Sequence, residues 1–141
     1  MALGNIRPKR DGIDWIAFKE VLRQSKLIAD GLWSLGLREK NTFGIYSINS
    51  SEYTIFEYAC YRHSLIVIPI YETLGSNVCG YIAKQAELSA IYCDKIDRVD
   101  NILKNVADFQ SLKHIIVGKK IEDKDADLKK NAEIAGMKGK I

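Results

Sequence analysis

Cys60 and His63 stand three residues apart, and a thiol one helical turn from an imidazole is a pairing from which a thiolate nucleophile can be built. Such a dyad also needs a third group that orients the imidazole, and the sequence offers none. Packing along a single helical turn therefore accounts for the pair better than catalysis does. The other thiols, Cys79 and Cys93, and the second histidine, His114, are widely scattered. A zinc site wants four ligands at short paired spacings, and there is no Cys-x-x-Cys. The expectation is three reduced, mostly buried thiols and no metal. Glu122 and Asp123 are adjacent carboxylates, but they sit in a stretch so polar that solvated charge explains them.

Phosphate chemistry leaves a different mark. A dinucleotide fingerprint needs closely spaced glycines between a strand and a helix, so that backbone can touch pyrophosphate. The first candidate strand runs into Ile48-Asn49-Ser50-Ser51, which has no glycine, and the second into Tyr71-Glu72-Thr73-Leu74-Gly75-Ser76, which has one. No Gly-Lys-Ser/Thr ending of a Walker loop occurs. The Lys pairs at 119–120 and 129–130 are separated by Glu122, Asp123, Asp125 and Asp127. With 21 basic and 18 acidic residues, the formal charge of +3 is too small and too dispersed for a nucleic-acid partner.

Behind these residues stand regular elements. The 141 residues, 47% apolar and 28% charged, suffice for one α/β domain with a real core. Phe18, Val21, Leu22, Ser25, Ile28, Leu32 and Leu35 recur at helical spacing, with Gly36 closing the helix and Ala17 standing where a hydroxyl cap would be usual. Thr42 to Ile48 reads as a strand. Asn49 and Glu52 have capping-box spacing, ahead of a helix over about 50–63 that turns Ile55, Phe56, Ala59 and Cys60 inward. Leu65 to Ile70, a continuous apolar run, reads as a buried strand covered on both faces. A helix follows over Ser76 to about Ala86 with Val78, Tyr81, Ile82 and Gln85 on one side. Then come a strand at Ala90–Cys93, a helix over about 97–107 and a strand at His114–Val117. Strands separated by single helices imply parallel pairing, so the fold expected is a doubly wound α/β, mainly parallel sheet of about four strands.

Residues 1–118 form that domain and 119–141 a polar charged tail with one surface helix over about 125–135. The longest apolar run, six residues containing Pro69, is far short of the ~20 that cross a bilayer. With no signal-peptide stretch, a cytoplasmic or cytosol-facing chain is the expectation.

Several segments, in order, resemble the long-chain acyl-CoA synthetases of the adenylate-forming superfamily. Asp14-Trp15-Ile16-Ala17-Phe18-Lys19-Glu20-Val21 is similar to the family's tryptophan-then-helix opening. Gly44-Ile45-Tyr46-Ser47-Ile48-Asn49-Ser50-Ser51-Glu52-Tyr53 resembles its strand, asparagine and acidic–aromatic pair, and Glu57-Tyr58-Ala59-Cys60-Tyr61 follows in place. The most specific segment is Val67-Ile68-Pro69-Ile70-Tyr71-Glu72-Thr73-Leu74-Gly75, and Tyr92-Cys93-Asp94-Lys95 matches the next strand end. The departures are Ala17 for a hydroxyl cap, Ser50-Ser51 for Arg-Pro, and Tyr53 for Trp.

The resemblance implies part of an N-terminal subdomain of an enzyme that uses ATP and Mg²⁺ to convert a long-chain fatty acid to an acyl-adenylate and passes the acyl group to CoA. The family's phosphate loop, adenine segment, ribose aspartate and mobile-domain lysine lie beyond the matched stretch. Leu112 to Ile141 contains no Ser, Thr, Pro, Phe, Tyr or Trp, so the phosphate loop is not reached. No catalytic residue is carried over, and no cofactor is expected on these residues alone. The superfamily's equivalent of the loop Tyr71 to Gly75 lies on the side from which CoA enters, which makes Tyr71, Thr73, Leu74 and Gly75 the candidates for CoA proximity. The residues alone admit another role, with Thr73 capping the next helix and Tyr71 filling a gap beneath it. The partners implied are fatty acid, CoA, and either missing subdomains or further copies of the chain. The resemblance is compatible with peripheral association with endoplasmic reticulum, mitochondrial outer membrane or peroxisome. The rival expectation is a non-enzymatic α/β module, a degenerate paralogue that binds partners through an uncovered sheet edge.

Overall fold

The computed structural model describes residues 2–6, 13–71, 73 and 75–118. In chain order these form β1 (Ala2–Ile6), β2 (Ile13–Ala17), α1 (Phe18–Ser34), β3 (Thr42–Tyr46), α2 (Ser51–Arg62), β4 (Ile66–Ile70), α3 (Ser76–Gln85), β5 (Ala90–Cys93), α4 (Ile96–Lys104), a 3₁₀ turn (Val106–Asp108) and β6 (His114–Val117). β1 and β2 pair antiparallel; the other four strands form a parallel sheet in the order β4-β3-β5-β6. The doubly wound α/β sheet expected from the alternation of elements is present.

Side-chain alternation along the strands divides the core in two. Phe43, Ile45, Val67, Ala90 and Tyr92 face α1 and α2, where Leu32, Phe56 and Cys60 meet them. Tyr46, Ile70, Ile91, Cys93 and Ile115 face α3 and α4, where Cys79, Ala83, Val99 and Ile102 close the second layer. Phe56 stacks on Tyr92 with ring centroids 4.0 Å apart and lies 6.0 Å from Phe43. Each such aromatic pair adds ~0.5–1.5 kcal/mol beyond its buried area.

α1 begins at Ala17 without a side-chain cap and ends as Gly36 implies. Gly36, at φ 89°, donates to Trp33 O (3.0 Å), and Leu37 donates to Leu32 O (3.2 Å). The left-handed residue thus satisfies the last carbonyls and drops Leu37 into the core. The inward face is Val21, Ser25, Ala29 and Leu32, while Phe18, Leu22 and Leu35 are exposed. Val21, Ser25 and Leu32 are thus buried as expected, and Ala29 joins them in place of the flanking Phe18, Leu22 and Leu35.

Other expectations are corrected. α2 is capped by Ser50, whose Oγ accepts from Tyr53 N–H (3.2 Å), and not by an Asn49–Glu52 box; the helix starts one residue later than that box requires. α3 buries Cys79 and Ala83, whereas Tyr81 is 67% exposed and Gln85 faces outward. The helix expected over 97–107 breaks after Lys104, because Asn105 Nδ2 takes the Asn101 carbonyl (2.8 Å) and Asn105 N–H turns to Ile102 O (3.1 Å).

The largest correction concerns Leu65 to Ile70. It forms the edge strand β4, not a strand covered on both faces: Ile66 is 47% exposed and Pro69 is exposed as well. An edge is where a strand proline is tolerated, since its missing N–H is not needed by a neighbour. The strands buried on both faces are β3 and β5. The β1–β2 hairpin was not foreseen. Residues 119–141, with the helix expected over about 125–135, lie outside the described residues. Among the described residues no helix is long and apolar enough to cross a membrane.

Candidate functional site at the carboxyl end of the sheet

The strand register sets Ile70, Tyr46, Cys93 and Val117 in one row, so the four parallel strands end together. The residues that leave this row, Tyr71, Ser47, Asp94 and Gly118, form a rim. Ligands of open α/β sheets lie at such a rim, above all where the winding direction reverses. Here the reversal falls between β3 and β5, since the chain passes to β4 on one side of β3 and returns to β5 on the other.

That switch point is filled by the protein's own charges. Asp94 follows β5 directly, and its Oδ1 pairs with Arg98 Nε of α4 at 2.5 Å. Arg98 is 4% exposed and its guanidinium stands 4.7 Å from the Tyr46 ring centroid. The second Asp94 oxygen accepts from Ile48 N–H (3.3 Å) in the loop after β3. Burial pushes the Tyr46 phenol up, against the downward pull of its hydrogen bond with Asn101 and of the Arg98 charge. Sequence reasoning missed this group. Its signal is the i,i+4 spacing of Asp94 and Arg98 beginning immediately after a strand.

Of the four residues anticipated for the CoA side, Tyr71, Thr73 and Gly75 are described, and they follow β4, across β3 from this group. Tyr71 is 50% exposed, and the Tyr53 phenol of α2 is pushed up by burial first and then by Tyr71 and Glu57. Thr73 is exposed in a short turn, and Leu74 lies outside the described residues. Gly75 is the N-cap of α3, at φ 83°, with no side-chain cap bond. Open space surrounds the position a Cβ would take there. Gly75, and not Thr73, holds the N-cap position of α3, and the Tyr71 ring is half-exposed. The loop also leaves an edge strand, not the most buried one.

The thiols do not assemble a nucleophile. Burial, aided by Glu57, pushes Cys60 up to about 12. Burial likewise pushes Cys79 up to about 11 against the pull of Arg98, and Cys93 higher still. His63 places its ring against Trp33, centroids 4.9 Å apart. At neutral pH all three thiols stay protonated in the core.

The sequence profile described as AMP-binding enzyme matches residues 4–139. Long-chain-fatty-acid–CoA ligase 1 of Cavia porcellus is 34% identical over 106 residues, which is 74% of this chain and 15% of the relative. Its Homo sapiens counterpart is 31% identical over 119 residues, 82% of this chain and 17% of the relative. The chain thus spans about a sixth of the length of these curated relatives. Among solved structures, the adenylation domain of a carboxylate reductase from Mycobacterium chelonae superposes with a TM-score of 0.78 at 13% identity, over 90% of this chain and 20% of that one. The A domain of carboxylic acid reductase from Segniliparus rugosus gives 0.74 at 15% identity, over 96% of this chain and 24% of that one. The fold of the parallel sheet is therefore that of adenylate-forming enzymes, and with the profile spanning nearly all its residues the chain belongs to the AMP-binding enzyme family.

Proposed function

We propose that this chain is the N-terminal part of a long-chain fatty-acid–CoA ligase, in which it supplies a scaffold layer and one wall of the CoA approach. The observation that carries the reading is the 31–34% identity to long-chain-fatty-acid–CoA ligases over roughly three-quarters of the chain, joined to the uncrowded, left-handed Gly75 in the loop after β4. The reaction would activate a fatty acid with ATP and Mg²⁺ as an acyl-adenylate, and the CoA thiol would then displace AMP. The residues present do not fit ATP: neither the loop after β3 nor that after β4 has the glycine-rich backbone that cradles phosphates. ATP and Mg²⁺ therefore belong to other parts of the complete enzyme, and no step is assigned to residues here beyond the approach of CoA. Gly75, left-handed and uncrowded, lets backbone come near the ligand. Tyr71 offers a half-exposed ring against which the ligand can pack.

The open edge of β4 and the exposed Ile66 would be covered in the complete enzyme by its other subdomains. By the same reasoning these 141 residues alone make no acyl-CoA. Purified chain incubated with palmitate, ATP, Mg²⁺ and CoA is expected to give the blank rate, while a full-length long-chain acyl-CoA ligase with residues 13–118 grafted in place of its own is expected to retain turnover. A folded graft that forms no acyl-CoA, in the presence of an active parent enzyme, would favour a non-enzymatic module.

A further inference from the structure

Burying an ion pair is a poor way to stabilise a domain, because desolvation offsets most of the attraction and apolar side chains of similar volume do as well or better. The Asp94–Arg98 pair lies almost wholly out of solvent, with side chains 14% and 4% exposed, at the switch point of the sheet. A role beyond stability is visible in what the carboxylate reaches. One oxygen holds Arg98 of α4, and the other holds the Ile48 N–H in the loop after β3. That loop continues into Ser50, which caps α2 through Tyr53 N–H. Because Tyr46 and Ile70 are register partners, the loops after β3 and β4 leave the sheet side by side. Arg98 also lies over the Tyr46 ring, the last residue before the first of these loops. An apolar pair could fill the same space but could not accept from Ile48.

We infer that Asp94 and Arg98 are positioning residues for the thioester-forming step: the buried pair fixes the Ser47–Ser50 loop, which caps α2 and leaves the sheet beside the loop that begins at Tyr71, at the CoA side of the rim. The inference rests on the ligase reading for its reaction, but its structural half is measurable without turnover.

The test is a double substitution, Asp94→Leu with Arg98→Met, which removes both charges and keeps the volume. In the 141-residue chain, the melting temperature is expected to stay within a few degrees of the parent. Amide hydrogen exchange at Ile48 is expected to accelerate at least about tenfold, a change of ~1.4 kcal/mol, while β5 amides keep their protection. In a full-length ligase carrying this segment, the same pair of changes is expected to raise the KM for CoA several-fold and to leave adenylate formation from palmitate and ATP unchanged. Unaltered exchange at Ile48 would overturn the inference, as would a global loss of stability that makes the pair a plain structural element. A graft without ligase activity would remove the ligase reading alone, since the exchange result judges the positioning claim by itself. Arg98→Lys, which keeps the charge but loses the planar fork over Tyr46, is expected to fall between parent and double variant in both readouts.

Discussion

The two ends of the parallel sheet are held by different means. At the amino end the connections are stitched by main chain: Lys40 N–H donates to Ser64 O (2.9 Å), Ile66 N–H to Asn41 O (2.9 Å), Ser89 N–H to Thr42 O (3.1 Å) and Lys113 N–H to Ser89 O (2.8 Å). Side chains there only add to that ladder. Arg38 stands 4.0 Å over the Trp33 ring and donates to the Trp33 and Leu37 carbonyls. At the carboxyl end one main-chain bond, from Gly118 N–H to Cys93 O (2.9 Å), is joined by side-chain links: Asp94 holds Ile48, Arg98 holds Asp94, and Ser50 caps α2. A backbone stitch survives almost any change of residue, whereas a side-chain stitch exists only for a particular residue. The end that carries a ligand in open α/β folds is thus the end whose geometry the sequence can tune.

The difference is open to attack by substitution. Asp94→Asn leaves the Arg98 guanidinium buried beside a neutral amide, and the expected loss is about 3–5 kcal/mol in urea unfolding, the largest at either end. A loss below about 1 kcal/mol would mean that water reaches the group. Gly118→Ala comes next. A Cβ there would sit 2.5 Å from the Tyr92 hydroxyl, whose ring is locked in the Phe56 stack, so about 1–3 kcal/mol is expected. Smallest is Thr42→Val at the amino end. It removes the bond from Thr42 Oγ1 to Glu87 O (2.8 Å) and an acceptor for Ser89 N–H, yet the main-chain bond from Ser89 to Thr42 O persists. About 1 kcal/mol is expected. If Thr42→Val cost as much as Asp94→Asn, the contrast between the two ends would vanish.

Much of this fold is legible in the sequence for a physical reason. Helices and strands announce themselves by period, and Ala90–Cys93 and His114–Val117 fall where their apolar runs place them. Sheet order is not periodic information, so Leu65 to Ile70 looked interior from its composition when only Pro69 hinted at an edge. Helix faces were misread where small residues are buried, as with Ala29 in α1 and Cys79 and Ala83 in α3. At the site, the resemblance singled out Tyr71 through Gly75, and the structure adds the left-handed Gly75 that a sequence can only suggest. Asp94 and Arg98 carry no mark in the sequence beyond an i,i+4 spacing, which ordinarily belongs to a solvated helix face. Burial, which turns that pair into a positioning device, comes from tertiary packing.

The most direct measurement compares the two half-reactions of a full-length ligase carrying this segment, with and without Gly75→Val. A β-branched residue is strained at φ 83°, so the loop backbone must move even though space is open around it. If the rim loop borders the CoA approach, KM for CoA rises about tenfold or more while adenylate formation from palmitate and ATP keeps its rate. Equal losses in adenylate formation and in thioester formation would contradict the assignment and make the loop a structural turn.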